Sequence, residues 1–167
     1  SRARERSGPW ASGPISILPQ EARRVAEPRG CGHHRGVDAH VETIVRLFVK
    51  KEKRERILAL ASKASRRGDF RSDLLHDARS LDPGVLRRLA ATSTVESIAR
   101  DLRAAGARGL AFCISERDDV DGLELPLDDA LGRVVGRESD SLVFALGSRA
   151  AYYENHEGER WLLVGPR

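Results

Sequence analysis

The sequence predicts an α+β fold, a helical N-terminal layer packed on a small, mainly antiparallel sheet with one inserted short helix. Three observations carry this. Apolar residues recur at helical spacing from about 41 to 105, the period shortens to two after 110, and the last three apolar segments are separated only by turn-forming residues. The chain has 167 residues, enough for one compact core. Its 40% apolar and 32% charged content excludes wholesale disorder, and with 5% aromatics the core must be mostly Leu, Val, Ile and Ala. The two cysteines, Cys31 and Cys113, are too few for a disulfide framework. No run of about 18 apolar residues offers a membrane-spanning helix.

Residues 1–40 read as a disordered or weakly ordered tail, and 41–167 as a single α+β domain. In the tail Pro9, Pro14, Pro19 and Pro28 interrupt every candidate helix. The stretch from Gly8 to Gln20 holds three prolines and lacks the apolar centre of a secretory signal. Residues 41–49 fit two periods, since Val41, Thr43, Val45, Leu47 and Val49 alternate while Ile44, Leu47 and Phe48 suit a helix; helix is expected. A bend near 50–53 keeps Lys51, Arg54 and Glu55 off the apolar stripe. Ile57, Leu60, Ala61 and Ala64 then fall on one helical face. Asp69 is the expected N-cap of a third helix carrying Phe70, Leu74, Ala78 and Leu81. Asp82-Pro83 is expected to open a short helix through Val85, Leu86 and Leu89.

Ser93 and Glu96 have the spacing of a capping box, ahead of Val95, Ile98, Ala99, Leu102 and Ala105 and a terminating Gly106. Leu110, Phe112 and Ile114 alternate as a strand. An acidic loop follows at 116–124, then a short helix at 126–135 closed by Gly136. Strands at 142–146, 150–154 and 161–164 complete an antiparallel meander.

Charge is distributed unevenly. Residues 41–109 hold 16 Lys and Arg against nine acids, and residues 110–167 hold six Arg against 12 acids. The simplest expectation is mutual neutralisation between the two halves, and the alternative is a charged partner for each.

Four groups of residues carry candidate chemistry. Asp118, Asp119 and Asp121 in the acidic loop offer the oxygen ligands that hard cations prefer, and such an ion could activate water as in a metal-dependent hydrolase. The loop is not an EF-hand: Arg117 stands at its first ligand position and Pro126 at its tenth. Cys31, His33, His34 and His40 are zinc-type donors, but their spacing matches no finger. Lys50, Lys51, Lys53, Arg54, Arg66 and Arg67 form a basic run able to track phosphates, which makes nucleic-acid binding an alternative function. No aromatic residues interleave with them for base stacking. Tyr152, Tyr153 and Trp161 gather in the terminal strands, and because adjacent strand residues point to opposite faces, one tyrosine is expected to face outward, where it and Trp161 either offer a protein interface or form a cross-strand aromatic pair within the sheet.

Cys113, His76, His156 and Ser148 are residue types that can serve as nucleophile and base, but nothing in the spacing brings them together. Gly147-Ser148-Arg149 lacks the second glycine of a nucleophile elbow. No phosphate-loop motif or cofactor signature is present, so no cofactor is expected. The resulting expectation is a small, soluble, non-enzymatic binding or regulatory module, cytoplasmic and of bacterial type, with another protein as partner and no membrane.

Overall fold

The computed structural model of the chain describes residues 37–166, so Trp10, Cys31, His33 and His34 and the other residues of the expected tail up to 36 lie outside the described residues. Among the described residues there are five α-helices and six strands, an α+β fold. No described helix is long and apolar enough to cross a membrane.

Helix α1 (Ala39–Phe48) starts where Asp38 accepts the backbone N–H groups of His40 and Val41, and it buries Val41, Ile44, Val45 and Phe48. That i, i+3, i+4, i+7 stripe resolves the ambiguity at 41–49 in favour of helix. A single 3-10 turn, Lys51–Lys53, makes the expected bend before α2 (Arg54–Ala61), which buries Ile57 and Leu60. Helix α3 (Arg67–Leu75) begins three residues earlier than expected. A 3-10 turn at Ala64–Arg66 runs straight into it, so Asp69 lies in the first helical turn instead of at the N-cap. It also ends earlier, leaving Ala78 and Leu81 beyond it.

Asp82 accepts the N–H of Gly84 at 2.8 Å, as its capping role requires. The expected helix there is only a 3-10 turn, Pro83–Val85, followed by strand β1 (Leu86–Arg88). Helix α4 (Val95–Ala104) is capped by Thr94, one residue past the expected Ser93, through an N–H bond from Ser97. Gly106 after it has φ +98°, a conformation that favours glycine. Then come β2 (Leu110–Ser115), the short β3 (Glu124–Pro126), α5 (Leu127–Val134), β4 (Ser141–Ala145), β5 (Ala150–Glu154) and β6 (Arg160–Val164).

The strands form one sheet in the order β1-β6-β5-β4-β2-β3, antiparallel throughout. The β4-β5-β6 meander is in the expected place. Pleating sorts the side chains into two apolar faces. Phe112, Ile114, Leu142, Phe144, Ala151, Tyr153 and Leu163 pack with α1, α2 and α3. Ala111, Cys113, Val143, Ala145, Ala150, Tyr152 and Leu162 pack with α4 and α5. The helices therefore do not make one N-terminal layer. Both alternations of β2, β4 and β5 are apolar, and each needs its own cover.

That double cover corrects one expectation directly. Tyr152 and Tyr153 do point to opposite faces, yet both are fully buried, so neither is offered to a partner. Trp161 is half-buried and stacks on Tyr153 with ring centroids 5.2 Å apart.

Candidate metal centre and basic face

Three chain segments distant in sequence converge at one end of the sheet. The first is the exit of α3. The Tyr153 hydroxyl donates to the Leu75 carbonyl, tying the end of the helix to β5 and placing His76 immediately beyond. The chain then turns through a 3-10 segment, His76–Ala78, in which Ala78 takes φ +54°.

The second segment is the return from α5 to β4. Glu154, buried on the α4/α5 face, accepts the N–H groups of Gly136 at 2.9 Å and Glu138 at 3.0 Å, with Glu138 at φ +50°. The same carboxylate accepts the Tyr152 hydroxyl at 2.5 Å and lies 3.3 Å from Arg160 Nε, an ion-pair contact not aligned as a hydrogen bond. Burial, reinforced by that hydrogen bond, pushes the Tyr152 phenol far above its ordinary pKa. The Asp140 carbonyl then accepts the Glu116 N–H at 3.0 Å, which fixes Asp140 just before β4.

The third segment is the β5–β6 turn. Asn155 Oδ1 accepts the N–H groups of Glu157 and Glu159, at 3.2 and 2.8 Å, and shapes the turn around His156.

The result is a His76–Asp140–His156 cluster. The Asp140 side chain is 1% exposed, against 52% for His76 and 43% for His156. Asp140 Oδ1 accepts the backbone N–H of His156 at 2.9 Å and lies 3.2 Å from its ring Nδ1. His76 Nδ1 lies 3.5 Å from Asp140 Oδ2. The two imidazoles stack almost parallel, 4° apart with centroids at 5.3 Å. One ligand atom from each of the three residues falls within 4.8 Å of the others. Metal–ligand bonds of about 2.0–2.1 Å in a tetrahedral site put neighbouring ligand atoms roughly 3.3 Å apart, so these gaps suit one small ion with little rearrangement. The two described non-glycine residues with positive φ, Ala78 and Glu138, each lie two residues from a member of the cluster. Such strained backbone persists where the surroundings hold it.

The sequence-derived candidates fall elsewhere. Asp121 accepts two bonds from Arg67, at 2.8 and 2.7 Å, and the Ser115 N–H at 3.1 Å. Asp118 pairs with Arg71 at 2.8 Å, and Asp119 with Arg117 at 2.7 Å. All three carboxylates are thus engaged by guanidinium groups, and a cation would have to displace them. Arg67 and Arg71 belong to α3, so the acidic loop is met by two arginines of the N-terminal half, as internal neutralisation requires.

Within the basic run, Arg54 Nε donates to the Val49 carbonyl at 2.9 Å, Arg66 pairs with Asp69 and Arg67 with Asp121, while Lys51 is exposed. Lys50 and Lys53 both reach the Arg79 carbonyl. His40 bonds Glu124 at 2.9 Å and lies against Phe112, away from the His76 cluster. Cys113 is buried in β2, and burial pushes its thiol up to about 12. Ser148 Oγ closes its own turn on the Ala145 carbonyl at 2.7 Å.

Sequence reasoning named His76 and His156 only as partners for Cys113 and missed Asp140. One signal was present. The β4–β5 hairpin pairs Ser141 with Glu154, so a correct register already sets residue 140 beside the turn that holds His156. Nothing local announces His76, whose approach depends on the Tyr153–Leu75 tie.

No family model matches the chain, and no curated protein or solved structure matches it significantly.

Proposed function

We propose that the chain is a non-enzymatic binding module whose ligand is a divalent transition-metal ion held by His76, Asp140 and His156. One observation carries the reading: a carboxylate 1% exposed to solvent, facing the Nδ1 atoms of two stacked, half-open imidazoles. Two nitrogen donors and one carboxylate favour zinc, cobalt or nickel over magnesium or calcium, which prefer oxygen. Three protein ligands leave one tetrahedral position open to water or a small ligand.

The test is calorimetric titration with Zn²⁺, and optical titration with Co²⁺, of a chain in which Cys31, His33 and His34 are replaced by Ser to remove three of the other donors. One equivalent should bind, raising stability by about 2.7 kcal/mol at a free ion concentration 100 times Kd. Asp140→Asn and His156→Ala should each abolish the response. An unchanged titration in either variant, or none in the parent, overturns the proposal.

A further inference from the structure

We propose that Lys50 and Lys53 form a binding site for a phosphate group, independent of the metal ion. The backbone builds the site. Val49 and Leu81 pair as an isolated antiparallel bridge, supported by bonds from Lys50 N–H to the Ser80 carbonyl at 3.0 Å and from Asp82 N–H to the Phe48 carbonyl at 2.8 Å. The end of α1 is thereby held beside residues 80–82. The following 3-10 turn is closed by Lys53 N–H on the Lys50 carbonyl at 2.9 Å. Lys50 caps this turn and Lys53 ends it, and both side chains run towards residue 79.

Both ammonium groups end on one acceptor, the Arg79 carbonyl, at 3.0 Å from Lys50 Nζ and 3.1 Å from Lys53 Nζ; Ser80 Oγ lies 3.4 Å from Lys53 Nζ. Neither ammonium forms an ion pair with a described carboxylate. A carbonyl oxygen carries no net charge, so two like charges are gathered without neutralisation. An oxyanion bridging them would relieve that repulsion and accept from both. Lys53 and Ser80 also line an adjoining cleft of about 330 Å³ with Glu52, Arg56, Ile57 and Asp73. Asp73 is taken up by Arg56, Nε to Oδ2 at 2.7 Å, which leaves Glu52 as the opposing charge on the rim.

The contrast with Lys51 makes the idea specific. Lys51 has the same charge and sits between the two, but it is exposed and takes no part in the convergence.

The shared chemistry is a phosphate group, and two experimental arms separate its sources. In the first, melting temperature is measured in inorganic phosphate and in chloride at equal ionic strength. The parent chain and Lys51→Gln should gain the same increment in phosphate, and Lys50→Gln/Lys53→Gln should gain none. In the second, fluorescence anisotropy follows a labelled DNA duplex across a salt series. A polynucleotide source gives a slope of log K against log salt steeper in the parent by about 0.9 than in the double variant, since the two lysines share one phosphate. A response in the first arm alone identifies a small phosphorylated ligand. Circular dichroism confirms the fold, with Lys53→Gln as the milder variant. The proposal is overturned if neither arm separates parent from double variant, or if Lys51→Gln loses as much as Lys50→Gln/Lys53→Gln.

Discussion

Replacing Asp121 with Ala removes the residue on which the two oppositely charged halves meet. Its side chain is one-tenth exposed and holds Arg67 through two bonds, with Arg71 3.6 Å away. Removing one member of a fully buried pair costs about 3–5 kcal/mol, because the other charge is left in a poor solvent. Here the Arg67 and Arg71 side chains are 31% and 18% exposed and regain part of their hydration. We therefore expect a loss of about 2–3 kcal/mol. For a domain of this size that corresponds to a fall in Tm of roughly 10 °C. Urea unfolding followed by circular dichroism measures it, with Arg67→Ala and the double variant closing a cycle whose coupling should be about 1–2 kcal/mol. Arg103, paired with Asp128 at side-chain exposures of 52% and 62%, is the control, and Arg103→Ala should cost less than about 1 kcal/mol. The Asp121 loss should persist at about 0.5 M salt, since a shielded pair is weakly screened. If Asp121→Ala is no more damaging than Arg103→Ala, the reasoning that ties the acidic loop to α3 is wrong.

Four further outcomes follow from the same packing. Tyr153→Phe leaves the Leu75 carbonyl without its hydroxyl donor and should cost about 1–2 kcal/mol in urea unfolding; the same variant should weaken zinc binding, because His76 follows Leu75. Cys113, with its thiol held near 12 by burial, should resist iodoacetamide in the native state while Cys31 is scored separately by peptide mass. A pKa raised on folding stabilises fully below the unfolded value of about 8.5 and is lost as pH climbs towards 12, so stability should fall across that window and fall less in Cys113→Ala. Ala78→Gly trades a left-handed strain of about 1–2 kcal/mol against a glycine entropy cost of about 0.5–1, so it should be neutral or stabilising; a loss beyond about 1 kcal/mol in thermal melts would contradict the strain.

The long periodic segments were readable because burial enforces their period. Val95 to Leu102 and the alternation from Leu110 to Ser115 sit where one face must meet a core, whereas Val41 to Phe48 fits both periods and only its packing selects the helix. The short edge elements were not. Before Leu86-Arg87-Arg88, Asp82-Pro83-Gly84 reads equally well as a helix start or a turn, and the strand's pairing with Leu163, Leu162 and Trp161 is set by a strand 75 or so residues away. Tyr152 and Tyr153 misled for a related reason. Local sequence shows that two neighbours face opposite ways, but only the helix count on each side decides whether the second face is wet. The metal cluster was the least legible part. Its ligands come from the ends of three elements, and two of those ends bend through conformations that Ala78 and Glu138 do not favour, so neither propensity nor spacing points to them.

The margins of the sheet have a consequence of their own. On one side β1 is three residues long and presents Arg87 and Arg88, which are exposed and paired with Asp101 and Glu159. On the other, β3 is equally short and ends in Pro126, which has no N–H to give. An incoming strand would find few free backbone groups and would have to bury arginines or meet a proline. Strand addition is disfavoured at both borders of the described sheet, so its edges should not seed cross-β polymers in concentrated samples.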